Sequence, residues 1–155
     1  MEVKFYDTVE DSLLKYAVIL SMYEGKWVFC KHRERDSYEI PGGHRERGEP
    51  IEETARRELY EETGAVDYTI EPICPYSVTG KNRVNASGEE TYGMLFFARI
   101  TRFESELHNE IEQISMFDTL PTKLTYPLIQ PKLMEEPKRR GFPSQNPFDN
   151  GEMQL

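Results

Sequence analysis

Residues Gly42–Ala65 read GGHRERGEPIEETARRELYEETGA. Gly48-Glu49-Pro50 opens a helix: proline suits the first helical position, and Glu52 and Glu53 complement its positive end. The helix should run to about Thr63, with Gly64 as the left-handed residue that closes it. On a wheel of about 100° per residue, Ile51, Ala55 and Leu59 fall within about 80° of one another, an apolar stripe for packing on a sheet. Glu58, Glu61 and Glu62 occupy an adjoining arc of about 100°. The three carboxylates therefore line the edge of the buried stripe, where helix meets sheet.

That arrangement is unfavourable by itself. Glu58 faces Glu61 three residues on and Glu62 four residues on, so like charges are neighbours. Taken alone, such a cluster reads more readily as a solvated acidic face. Converging at a half-buried edge, it makes sense once a cation neutralises it, and oxygen-only ligands favour Mg²⁺ or Mn²⁺ over zinc.

Upstream, Lys15–Ser21 is a short apolar run that reads as a buried strand. Glu24-Gly25 makes a turn, and Lys26–His32 is the returning strand of a hairpin. Ser37–Ile40 is a brief extended piece ended by Pro41-Gly42-Gly43. Downstream, Asp67–Val78 reads as a strand that Pro72 and Pro75 place at an edge or interrupt. Thr79–Glu90 is a loop, Thr91–Ile100 gives the strongest strand signal of the chain, and Ile111–Phe117 is a last short strand. A second helix is predicted over Thr125 to about Glu136, stopped by Pro137. The expected organisation is one domain over residues 1–141 and a loose tail over 142–155.

Bulk properties narrow the function. The formal net charge of −9 argues against a surface that coats nucleic acid, but not against a polyphosphate held through dications. There is no run of eighteen apolar residues, so no membrane span is expected. The acidic start MEVKFYDTVEDSLLKY is no secretory signal, and a cytoplasmic protein is expected. Cys30 and Cys74 sit in apolar, strand-like stretches and read as reduced core thiols.

Gly43 is followed after five residues by Glu49, seven more lead to Arg57-Glu58-Leu59, and Glu61-Glu62 and Gly64-Ala65 complete the series. With this spacing the segment resembles the Nudix box. Seven of these positions, Gly43, Glu49, Arg57, Glu58, Glu61, Glu62 and Gly64, would coincide at a given start by chance on the order of 10⁻⁸ of the time or less. The resemblance covers at least Tyr16–Pro121 and implies an α/β fold, the Nudix α/β/α sandwich with a mixed sheet. It implies hydrolysis of a pyrophosphate bond in a nucleoside diphosphate derivative, with Mg²⁺ or Mn²⁺ held by Glu58, Glu61, Glu62 and the Gly43 carbonyl. Arg57 would orient the carboxylates, and Glu49 would be its partner or an outer ligand. The general base would be Glu61 or a loop acid, Glu110 or Glu112; Glu104 and Glu106 are weaker candidates.

Lys31, Arg33, His44 and Arg45 are candidate phosphate contacts, the last two best placed because they adjoin Gly43. Tyr76, Tyr92 and Phe96 are available to stack on a base, although aromatics in strands more often fill cores. The expected substrate is a small nucleotide, with oxidised purine nucleoside triphosphates as the leading choice. The alternatives are a catalytically inactive nucleotide sensor and removal of a diphosphate-linked cap from RNA, which the acidic balance disfavours. A homodimer is common in the resembling family, and no interface is legible in the sequence.

Overall fold

The structure is a computed structural model that describes residues 1–82, 85–104 and 111–143, with backbone alone for residues 111–113. The loop acids Glu106 and Glu110 lie outside the described residues, as does the side chain of Glu112. Seven strands form one mixed sheet: β1 (Glu2–Phe5), β2 (Leu14–Tyr23), β3 (Lys26–His32), β4 (Gly42–His44), β5 (Ala65–Thr79), β6 (Thr91–Phe103) and β7 (Ile111–Phe117). The helices are α1 (Ile51–Thr63) and α2 (Gln130–Arg139). The strand order is β1-β5-β6-β2-β3-β7, with β4 added beside β2. β2 and β6 are parallel; the other pairings are antiparallel.

Alternation along the central strands sorts the core into two layers. Ile19, Val28, Phe96 and Ala98 face Ala55 and Leu59 of α1. Leu20, Trp27, Phe29, Leu95 and Phe97 point the other way, toward Leu133 and Met134 of α2. The apolar stripe read from the sequence is thus the face that seals α1 to the sheet. Gly64 closes the helix in the left-handed region at φ 77°, its N–H reaching the Tyr60 carbonyl at 2.8 Å. Pro50 is the cap residue rather than the first helical one, and the helix begins at Ile51, one position later than predicted.

β2 is shared along its length. Its end meets β3 at Met22–Trp27 and Tyr23–Lys26, while its first half meets β4 at Tyr16–His44, Ala17–Gly43 and Val18–Gly42. β3 diverges from β2 beyond the hairpin and pairs instead with β7 and, at Cys30, with Glu39. The Gly42-Gly43 pair, read as the end of an extended piece, is therefore a strand inserted in that split, and it carries the front of the box to the rim of a cleft.

Other departures have local causes. β1 was not predicted; it borders the end of β5, where backbone bonds rather than an apolar run hold it. β5 continues through Pro72 and Pro75, with a register shift between Pro72 and Cys74, because its opposite edge bonds only from Pro75 onward. The second helix starts at Gln130, after a turn in which the Tyr126 carbonyl accepts from Ile129 and Gln130. Pro137 lies inside it, near enough to the end that the helix persists to Arg139. Phe142, assigned from sequence to the tail, packs its ring on Phe97 at 5.6 Å.

Candidate functional site

Arg57 organises the start and middle of the box. Its Nε and Nη2 donate to the two Glu49 carboxylate oxygens at 2.8 and 3.0 Å. Nη1 donates to Glu58 at 2.9 Å and Glu61 at 3.1 Å, and Nη2 also reaches the His44 carbonyl at 2.9 Å. One planar cation thus fixes two helical carboxylates, the helix entrance and β4 together, a task that needs the guanidinium fork. Glu49 also accepts from the Glu46 N–H and the buried Thr54 hydroxyl. With Arg57 foremost, these donors hold the Glu49 carboxyl down to about 2.

Glu58 and Glu62 are largely buried, whereas the Glu61 side chain is 39% exposed. The Glu58 carboxylate lies over Gly43, so close that a Cβ there would sit 2.3 Å from its carboxyl carbon. Glu62 turns inward: Oε1 accepts the Gly42 N–H at 2.8 Å and Oε2 lies 3.2 Å from His32 Nε2. Burial, then the neighbouring Glu62 charge, pushes the Glu58 carboxyl up to about 7 against the pull of Arg57. Burial also raises Glu62. All-oxygen donors, raised proton affinity and a glycine cradle against Glu58 fit a hard dication better than an unneutralised acidic surface.

The shift on Glu58 has a sign that can be measured. Its proton is held more tightly folded than unfolded, where the carboxyl titrates at its ordinary 4.5. Folding therefore takes up a proton between about pH 4.5 and 7, and stability falls as pH rises through that window. His32, raised chiefly by its hydrogen bond to Glu62, adds to the same slope, since the stability from its charged form is lost as pH rises through the folded value. In chelator, unfolding free energy should drop by about 2–3 kcal/mol between pH 5 and 8. Saturating Mg²⁺ or Glu58→Gln should flatten most of that slope; an equally steep profile in Glu58→Gln would show another origin.

Two adjacent glycines should respond differently to alanine. At Gly42 a Cβ meets the Ala17 carbonyl oxygen at 2.6 Å, and backbone cannot yield, so Gly42→Ala should cost about 1–3 kcal/mol. At Gly43 the obstacle is the flexible end of Glu58. Gly43→Ala should leave the melting temperature within a few degrees yet weaken Mg²⁺ binding about tenfold or more, measured by calorimetry. Equal metal affinity in that variant and wild type would separate Gly43 from the metal.

A cavity of about 140 Å³ opens beside β4, lined by Tyr16, Val18, Glu39, Ile40, Gly42, Gly43, His44, Tyr76, Tyr126, Gln130 and neighbours. Of the proposed phosphate contacts only His44 borders it, its ring 4.6 Å from Tyr16. Arg45 has a different set of partners: the carbonyls of Glu49, Asp11 and Leu14 and the Asp11 carboxylate. It pins the box loop to the chain before β2. Lys31 and Arg33, at the end of β3 and in the turn after it, do not line the cavity. Glu104 accepts from the Tyr60 hydroxyl at 2.9 Å, on the exposed side of α1. Tyr76 is buried and borders the cavity, Phe96 is core, and Tyr92 stacks near Tyr6.

Sequence reading missed Glu39 and His32. Glu39 is 8% exposed, ion-paired with Arg35, and its Oε1 lies 3.5 Å from His32 Nε2. The signal was Cys30 and His32 at strand alternation on the face toward α1, but nothing in the sequence shows that Glu62 meets them.

Comparison with known proteins identifies the class: the NUDIX domain family model matches residues 13–136, and the chain belongs to the Nudix family. It is a hydrolase of nucleotide derivatives, of the pyrophosphohydrolase kind. Among relatives, a Bacillus subtilis (strain 168) protein provisionally named 8-oxo-dGTP diphosphatase YtkD is 31% identical over 126 residues, 81% of this chain and 75% of its own. The solved structure of the Bacillus subtilis pyrophosphohydrolase BsRppH superposes with a TM-score of 0.72 at 26% identity, covering 90% of this chain and 92% of that one. A UDP-X diphosphatase shares the fold, with a TM-score of 0.62 at 22% identity over 90% of this chain and 68% of its own. No helix among the described residues is long and apolar enough to cross a membrane.

Proposed function

We propose that the chain is a Mg²⁺- or Mn²⁺-dependent pyrophosphohydrolase acting on purine nucleoside triphosphates, oxidised ones included. The observation that carries the reading is the Glu58 carboxylate, fixed by Arg57 over Gly43 at the edge of the cavity beside β4. Glu58, Glu61 and Glu62 would hold the dication, with the Gly43 carbonyl beside them. When bound, it neutralises the pyrophosphate and acidifies the attacking water. Arg57 keeps Glu58 and Glu61 aligned. Glu61, the most exposed of the three, would accept a proton from water, a role that Glu110 or Glu112 would otherwise fill. Tyr16, Val18, Ile40 and Tyr76 give the cavity apolar walls for a base, and Asn82, Thr91 and Gln130 offer polar groups to its edge. Water adds to one phosphorus, the bridging oxygen leaves, and a nucleoside monophosphate and pyrophosphate result.

The purine preference draws on the 8-oxo-dGTP diphosphatase name of the 31% identical relative. The test is a panel with Mg²⁺: dGTP, 8-oxo-dGTP, pyrimidine triphosphates, a UDP-sugar and ADP-ribose, with products separated by chromatography. Fastest release of pyrophosphate from purine triphosphates is expected. Turnover of the UDP-sugar or ADP-ribose alone would move the substrate class. Thermal stabilisation by a nucleotide with no turnover at all would favour the sensor.

A further inference from the structure

Behind the oxygen cluster, a different donor set converges. Cys30 and His32, two apart on β3, present their side chains to the last turn of α1. The sulfur lies 3.9 Å from Glu62 Oε1, and His32 Nε2 lies 3.2 Å from Glu62 Oε2. One donor atom from each of the three residues falls within 4.8 Å of the others. Ligands around a tetrahedral zinc ion stand roughly 3.3–3.6 Å apart, so a side at the 4.8 Å limit has to contract by a little over an ångström to close on an ion. Glu39, whose Oε1 lies 3.5 Å from His32 Nε2, adjoins the group and lines the cavity beside β4. Arg35 pairs with the Glu39 carboxylate.

We propose that Cys30, His32 and Glu62 form a site for a borderline or soft dication of the Zn²⁺ class, and that its occupation withdraws Glu62 from the hard-metal set. A thiolate and an imidazole suit Zn²⁺ and Co²⁺ but not Mg²⁺, so the two sites choose different ions while sharing one carboxylate. The Cys30 side chain is wholly buried, and coordination through its sulfur would release the thiol proton. Sharing Glu62 makes the ions antagonists. That second half rests on the hydrolase reading above, whereas the binding stands on geometry alone.

The experiment is titration of the reduced, metal-free protein with Co²⁺, followed by absorption. Wild type and Cys74→Ser should develop a near-ultraviolet thiolate-to-cobalt band that Zn²⁺ abolishes stoichiometrically. Cys30→Ser should lack it. His32→Gln, at a half-buried position, should keep the band but weaken Co²⁺ binding at least about tenfold. Identical spectra in wild type and Cys30→Ser, or unchanged affinity in His32→Gln, overturn the site. In Mg²⁺-supported turnover, Zn²⁺ should inhibit wild type near one equivalent, and Cys30→Ser should need at least about ten times more. Equal inhibition overturns the antagonism. The band should persist in Glu61→Gln, so a protein that binds Co²⁺ through sulfur yet turns over nothing would keep this site and reject the hydrolase reading.

Discussion

Glu61→Gln and Glu62→Gln should each lower Mg²⁺-dependent kcat/KM by roughly 10²–10⁴-fold, for different reasons. Glutamine is isosteric, so packing is retained and the change removes charge and basicity. Glu61 is the exposed member, held through Arg57 Nη1 at 3.1 Å, so its loss should leave folding intact and act chiefly on kcat. Glu62 is buried, and its amide replacement can still accept the Gly42 N–H. What disappears is the carboxylate charge between His32 and the box, so Mg²⁺ affinity should fall with the rate. The check is initial rates against Mg²⁺ concentration, with thermal unfolding of each variant as control. Wild-type rates in both variants would remove the mechanism. A rate in Glu62→Gln restored by high Mg²⁺, beside one in Glu61→Gln that is not, would separate metal holding from proton transfer.

How much was visible beforehand follows from which interactions are local. Helix α1, its stripe and its Gly64 stop are set by residues within a few turns of one another, so periodicity and capping chemistry located them. β3 and β7 followed from short runs of β-branched and aromatic residues. The insertion of β4 beside β2 is a long-range pairing of two glycines, and no local pattern announces it. The same limit applied to the site. The Glu58–Glu61–Glu62 arc is a property of one helix, but that Glu62 turns away toward Cys30 and His32 depends on where β3 lies. Adjacency of Arg45 to Gly43 in sequence does not give the direction of its side chain. It points back to Asp11 and Leu14 and donates to both of their carbonyls.

Arg57→Lys should behave almost as badly as Arg57→Ala, since position rather than charge is what Arg57 supplies. Its three nitrogens reach Glu49 twice, Glu58, Glu61 and the His44 carbonyl. An ammonium offers one point of donation and cannot span the helix entrance, the helix middle and β4 together. Removing the guanidinium leaves Glu49 and Glu58, both mostly buried, with fewer donors, and places them closer in effect to each other's charge. Either variant should lose about 2–3 kcal/mol of stability in chelator, the pair being partly solvated. Mg²⁺ should recover part of that loss by neutralising Glu58 and Glu61, which makes the variants' melting temperatures unusually dependent on dication. Activity at saturating Mg²⁺ should fall roughly 10–100-fold, the scale for groups that orient metal ligands without touching substrate. The measurement is a melting curve and a rate for each variant at several Mg²⁺ concentrations. If Arg57→Lys retains wild-type rate and stability, the bidentate geometry is dispensable and only positive charge matters at this position.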